Sequence, residues 1–242
     1  MRNSILALAA IAGVAASPAF AGAVNLVQNG DFTDLTNGVG QITGNPTTAV
    51  GWTTTGYNLV MTNGTTGSTN SGGGFVKLWT DENGGNNDWN GAARVGNFVA
   101  MDGDFNTYKV SQTVNGLTAG DNYTVSFDYA FAQQAGFTGD TIQSLGVSLG
   151  GASQQTADYG LASKGFSGWM NGAMTFTATS SSEDLSFLAK GNLPVPPFAL
   201  VSDVKLMAAA PEPATWAMMG LGFAGLGVAG LRSRRRTLAA LA

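Results

Sequence analysis

The stretch Tyr123-Thr124-Val125-Ser126-Phe127-Asp128-Tyr129-Ala130-Phe131 decides the fold. Its aromatic and branched residues, Tyr123, Val125, Phe127, Tyr129 and Phe131, occupy every second position. Side chains of an extended strand alternate between its faces, so this spacing gathers all five on one side of a half-buried strand. A helix would scatter the same residues around its circumference.

Shorter versions of the pattern lie on both sides of this stretch. They run from Phe75 to Trp79, Tyr108 to Val114, Leu145 to Leu149, Met174 to Ala178, Leu185 to Leu188 and Phe198 to Leu206. Turn-forming clusters separate them: Asn63-Gly64, Ser71 to Gly74, Asn83 to Asn87, Asp102-Gly103-Asp104, Asn115-Gly116, Ala119-Gly120 and Gly150-Gly151. No helical period stands out between Asn25 and Met207. Eight or more short strands at this spacing predict an all-β, antiparallel sandwich. Asn37 to Asn45 and Thr62 to Gly74 read as longer loops. Pro194, Pro196 and Pro197 read as an irregular or edge segment, because proline cannot donate to a ladder.

Composition agrees. The 242 residues include 35 glycines, only 11% are charged and 44% are hydrophobic, which suits strands joined by polar turns and argues against disorder. There is no cysteine and no histidine. Their absence removes disulfides, thiolate chemistry, Cys-type zinc sites, and both the commonest general base and the commonest metal ligand. Between Gly22 and Ala210, six basic residues face fourteen acidic ones, a net of −8. Such a segment, with no basic stripe, would be repelled by a phosphate backbone, so no nucleic-acid partner is expected.

The two ends read differently from the middle. Met1 to Ala21 has the parts of a secretory signal: Arg2, an apolar run from Ile5 to Ala16, and Ala19-Phe20-Ala21, the small-x-small pattern cut by signal peptidase. Gly22 is then the first mature residue. At the other end, Pro211-Glu212-Pro213 precedes Ala214 to Leu231, eighteen residues without a charge, and then Arg232, Arg234, Arg235 and Arg236. That length matches a membrane-spanning helix, and the arginines favour its cytoplasmic end. The expected organisation is a signal peptide (1–21), an ectodomain (22–207) and a tail (208–242).

The order of Pro-Glu-Pro, glycine-rich apolar helix, arginine cluster and chain end resembles the PEP-CTERM sorting domain of Gram-negative bacteria. The resemblance implies processing by an exosortase at or near Pro211-Glu212-Pro213. It implies a transient hold in the inner membrane and then a place at the cell surface or in the extracellular matrix, with exopolysaccharide production and biofilm or floc formation. Thr237 to Ala242 extends past the arginines, a small departure from that pattern.

The ectodomain resembles galactose-binding-like jelly rolls, including many carbohydrate-binding modules. The matching residues are Asn25-Leu26-Val27-Gln28-Asn29-Gly30-Asp31-Phe32 with Gly51-Trp52, then Val110 to Val114, Leu117 to Gly120, Tyr123 to Tyr129, and the closing Ser202 to Leu206. In those folds a structural calcium joins the first and last strands. Carried over, this points to Asp203 with Asp31 as a neighbour, although the acidic residue often found after the phenylalanine is Thr33 here.

Glycan binding uses aromatic faces beside polar groups. Of the ectodomain tryptophans, Trp52 and Trp79 lie in strand-like stretches and read as core. Trp89, in the polar loop Asn86 to Gly91, and Trp169 are the ligand-binding candidates. Two motif matches are structural: Gly146-Val147-Ser148-Leu149-Gly150 lies in a strand and lacks any histidine base, and Gly220 to Gly225 lies in the apolar tail. Glycoside hydrolysis needs only two placed carboxylates, but no pair stands out among the fourteen acids. The expected function is therefore noncatalytic association with exopolysaccharide or other surface components. A purely structural matrix protein is the alternative, and a small glycoside hydrolase is a more distant one.

Overall fold

The computed structural model describes residues 24–36, 40–41, 49–65, 67–69, 75–105, 107–192, 195–209, 219–224 and 226. The signal-peptide residues Ala19, Ala21 and Gly22, the Pro211-Glu212-Pro213 motif, and Arg232, Arg234, Arg235 and Arg236 lie outside them.

Among the described residues the regular secondary structure of the ectodomain is all strand, apart from a 3₁₀ turn at Asp81–Asn83. The strands are β1 (Gly40–Gln41), β2 (Asn58–Met61), β3 (Gly67–Thr69), β4 (Phe75–Lys77), β5 (Phe98–Asp102), β6 (Val110–Asn115) and β7 (Asn122–Gln133). They continue as β8 (Thr141–Leu149), β9 (Ala152–Gln155), β10 (Tyr159–Leu161), β11 (Met170–Thr177), β12 (Ser182–Lys190) and β13 (Pro197–Ala208). One sheet has the order β1-β2-β5-β13-β7-β11. The other runs β10-β8-β12-β6, with β9 also on β8, and β3 pairs with β4 apart from both. Every pairing is antiparallel. β13 inserts between β5 and β7, and β12 between β6 and β8. These crossed connections are consistent with a jelly-roll sandwich.

The period of two in β7 sets the main core. Tyr123, Val125, Phe127 and Phe131 are buried there, facing Leu145, Val147, Leu185 and Phe187 of the second sheet. The Phe127 and Phe187 rings meet edge to face at 5.3 Å, and Trp52 joins them between Phe32 and Phe187. Burying a side chain of this size contributes about 1.5–3 kcal/mol. The Trp52 indole N–H donates to the Asn29 carbonyl at 3.0 Å, so its one polar atom is not stranded in the core.

A second core lies on the opposite face of the six-stranded sheet. Leu59, Met61, Phe98, Ala100, Ala130, Ala132, Phe198 and Leu200 point into it from β2, β5, β7 and β13. Val76, Leu78 and Trp89 close over them from the β4 hairpin and the loop that follows. The middle of this sheet is thus buried on both sides, which is why β2 and β5 read as unbroken apolar runs and not as alternating strands.

Two expectations about irregular segments need revision. Pro197 opens β13, a central strand; as its first residue, proline sits where the missing N–H does least harm. The two stretches expected to be long loops contain the short strands β1 and β3. Of the expected membrane helix at 214–231, residues 219–224 and 226 are described, and they are helical and exposed. Among the described residues no helix is long and apolar enough to cross a membrane.

The first and last segments of the domain lie side by side. Leu26 N–H donates to the Leu206 carbonyl, and Val204 N–H donates to the Gly30 carbonyl, both at 2.9 Å. Asn25 Oδ1 accepts from the Leu206 amide at 3.0 Å. β13 bulges here, its register on β7 shifting between Ser202 and Lys205, with Asp203 in the left-handed region at φ 49°.

Candidate functional site

The outward face of the five-stranded sheet carries a groove. Along β12, Glu183, Leu185, Phe187 and Ala189 are buried and point inward, so Asp184, Ser186, Leu188 and Lys190 are left facing outward; Asp184 lies outside the groove lining and accepts from the Thr113 hydroxyl at 2.6 Å. The same alternation on β8 turns Leu145, Val147 and Leu149 inward and leaves Gly146 and Ser148 outward. Registers of Gly146 opposite Leu188 and Ser148 opposite Ser186 bring these small residues together. With Ser153 and Gln155 from β9, and Lys109 just before β6, they line a depression of about 370 Å³. Short side chains at its floor make the groove. Gly146 has no Cβ to fill it, and the serines add only hydroxyls.

Its polar groups are ordered by one another. The Ser148 and Ser186 hydroxyls lie 2.6 Å apart in a hydrogen bond, and Lys190 Nζ donates to Gln155 Oε1 at 2.7 Å. Lys109 is shared with an adjoining hollow of about 360 Å³ lined by Thr53, Thr54, Thr55, Tyr108 and Ser111. A backbone bridge between Thr53 and Ser111 joins this loop to the edge of β6. Tyr108, 53% exposed, is therefore the aromatic residue at the groove's continuation. No Asp or Glu is among the residues lining either depression.

The tryptophans expected to bind ligand lie elsewhere. Trp89 is only 6% exposed and stacks on Phe166 at 4.2 Å, so its polar sequence neighbourhood misled. One neighbour turns its polar groups to the backbone: Asn87 Oδ1 accepts from the Trp89 amide, and Asn87 Nδ2 donates to the Lys164 carbonyl. Trp169 is half-buried against the edge of Phe98. Both indoles donate to the same Ala92 carbonyl, at 2.8 and 2.7 Å. They meet in the second core, not in the groove. Trp52 is core as expected, and Trp79 is half-buried, with its indole N–H donating to the Phe137 carbonyl at 2.9 Å.

The residues suggested for calcium also have local partners. Asp203 Oδ2 lies 2.6 Å from Lys205 Nζ, and Asp31 Oδ1 accepts from the Thr33 hydroxyl at 3.0 Å. The fold brings their segments together through the Gly30–Val204 bond. However, the Lys205 ammonium already supplies the charge that a cation would, and the Gly30 and Asp31 carbonyls accept from Val204 and Asn97. This donor set does not fit a calcium ion. Among the described residues no three acidic, His or Cys side chains gather to hold a metal.

Buried carboxylates lie near the start of β12 and at the end of β5. Glu183 Oε1 accepts from the Thr179 amide and hydroxyl and the Ser180 amide. Burial pushes its pKa up, but those three donors prevail and hold it below the usual range. Asp102, at the end of β5, accepts from the Asp104 and Phe105 amides at 2.9 Å each. There burial prevails and the carboxyl sits above its ordinary range.

The groove residues Lys109, Ser148, Gln155, Ser186 and Lys190 escape sequence reading because none belongs to a motif. The available signal is the outward alternation Ser186-Leu188-Lys190 opposite Gly146 and Ser148, which needs the register to be recognised.

No protein-family model matches the chain, and no curated protein matches it. Solved structures to which it is similar include the carbohydrate-binding module TmCBM61 in complex with β-1,4-galactotriose. Identity there is 19% over 77% of this chain and 99% of that one, with a TM-score of 0.39. Another is the CBM22-1 xylan-binding domain of Paenibacillus barcinonensis Xyn10C, at 12% identity, 72% and 94% coverage, and a TM-score of 0.35. A third is a family 16 carbohydrate-binding module, at 13%, 54% and 84%, with a TM-score of 0.29. Likenesses at these scores carry no argument about ligand.

Proposed function

We propose that the sandwich is a noncatalytic module that associates with extracellular polysaccharide. On this reading the chain is exported by its signal segment and sorted through its Pro-Glu-Pro tail by an exosortase. The groove on the five-stranded sheet carries the reading: an open, polar trough with hydroxyl, amide and ammonium groups, and with Tyr108 at its continuation. Such groups hydrogen-bond sugar hydroxyls, and an exposed ring packs against a sugar face. Glycoside hydrolysis needs two carboxylates flanking the scissile bond. The groove lining offers none.

Burial of Trp89 favours the purely structural alternative to one extent, since it removes the most prominent aromatic candidate from the surface. The deciding measurement is retention of the full chain, in mild detergent, on exopolysaccharide from the source organism in affinity electrophoresis. Retarded migration is expected. Migration equal to that of an inert protein would sink the polysaccharide reading. For the tail, replacing Pro211-Glu212-Pro213 with alanines is expected to leave an uncut chain in the membrane fraction. Normal processing of that variant would remove the sorting proposal.

A further inference from the structure

We infer that the groove takes an anionic polysaccharide, one bearing carboxylate or sulfate groups, held by the ammonium groups of Lys109 and Lys190. This rests on the polysaccharide reading and names the ligand class. The distribution of positive charge carries it. Arg94 of the six basic residues in the domain pairs with Asp128 at 3.3 Å, and Lys205 pairs with Asp203 at 2.6 Å. Lys164 places its ammonium over the Trp79 ring, 4.9 Å from its centroid. Lys77 stands on β4, away from the groove. Lys109 and Lys190 are exposed, line the same groove, and are in no ion pair among the described residues.

Lys190 Nζ donates to a neutral amide oxygen, Gln155 Oε1, which orients the ammonium without cancelling its charge. Among the described residues no carboxylate lines the groove, in a domain where acids outnumber bases by fourteen to six. A local positive trough on an otherwise negative surface draws an anion to that place and repels it elsewhere. In the same groove, the Ser148 and Ser186 hydroxyls offer hydrogen bonds to sugar hydroxyls. Two ammonium groups are too few for a nucleic acid, whose affinity is built from roughly six to ten phosphate contacts.

The test is affinity electrophoresis of the full chain, in mild detergent, against polygalacturonate, a sulfated galactan and a neutral galactan. Retention is expected on one or both anionic polymers, and the pair identifies whether carboxylate or sulfate is preferred. It should fall in roughly 0.5 M salt, where exposed charges are screened. Lys109→Gln and Lys190→Gln should each weaken it about two- to fivefold, the range of an exposed ion pair. Lys77→Gln should not. Unchanged melting of all three variants confirms that the fold is intact. Equal, salt-insensitive retention on neutral galactan, unaffected by the lysine variants, overturns the anionic assignment and leaves the polysaccharide reading standing. No retention on any polymer, including the native exopolysaccharide, overturns both.

Discussion

Gly30 lies so close to Val204 that a Cβ at position 30 would fall 2.0 Å from the Val204 carbonyl oxygen. The contact is backbone against backbone, so no rotamer change relieves it. Gly30→Ala must push the first segment off β13 and break the Gly30–Val204 hydrogen bond. The expected cost is about 3 kcal/mol, within the range for overpacking. That lowers the melting midpoint by about 6–12 °C for a domain of this size. Gly151→Ala, where nothing lies within 4 Å, is the control and should change stability by no more than about 0.5 kcal/mol. Equal melting of both variants would refute this account of the junction.

Trp89 and Tyr108 should separate stability from binding. Trp89→Ala removes a ring stacked in the second core and is expected to cost about 3–5 kcal/mol in chemical denaturation. Tyr108→Ala removes a largely exposed ring and should leave the denaturation midpoint nearly unchanged. It should instead weaken polysaccharide retention about two- to tenfold, the range for one aromatic contact. The reverse outcome, a stable Trp89 variant that no longer binds, would return the tryptophan to the ligand site.

Glu183 gives the fold a dependence on acid. Its folded pKa is lowered, so the stability it contributes is present above its unfolded pKa and is lost as pH falls through the folded value. Asp102 acts in the opposite sense. Its raised folded pKa imposes a cost at neutral pH, and that cost shrinks as pH falls through the folded value. Glu183→Gln should therefore destabilise the domain at neutral pH by about 1–3 kcal/mol and flatten its loss of stability in acid. Melting curves from neutral pH down to roughly pH 3 check this. An unaltered slope would mean that the three donors to Glu183 contribute nothing.

The Lys205–Asp203 pair makes a prediction about calcium. Because the ammonium occupies the aspartate, adding calcium or a chelator should leave the melting midpoint unchanged. A ligand that binds only the native state must raise it. A clear rise with calcium would show that the cation displaces Lys205 and would reinstate the site that the family resemblance implies.

How far the sequence revealed this arrangement depends on how each strand is buried. β7 was legible because its first half is wet on one face, and the alternation from Tyr123 to Phe131 records that directly. β2 and β5 were not. With both faces covered, Asn58–Met61 and Phe98–Asp102 lose the alternation that marks a strand. β9 fails for the opposite reason: all four of its residues are exposed, so no apolar signal survives. Trp89 shows the limit of composition, since it lies among exposed polar residues while its ring is stacked on Phe166 in the second core. The groove was hidden because it is made by residues that match across β8 and β12, some forty positions apart at Ser148 and Ser186, and by the absence of bulk at Gly146.

The setting of β13 has a mechanical consequence. It is paired with β7 from Pro197 to Ala208 and with β5 from Phe198 to Val201, so it has neighbours on both flanks. The chain leaves the domain from its end, where Ala209 N–H still donates to the Asn122 carbonyl. Tension arriving from that side loads first Lys205 to Ala208, bonded to β7 and through Leu206 to Leu26, and then Phe198 to Val201, held by β7 and β5 together. An edge strand would peel away one bond at a time. A tether joined at this point would load β13 directly and leave the grooved sheet outside the line of force.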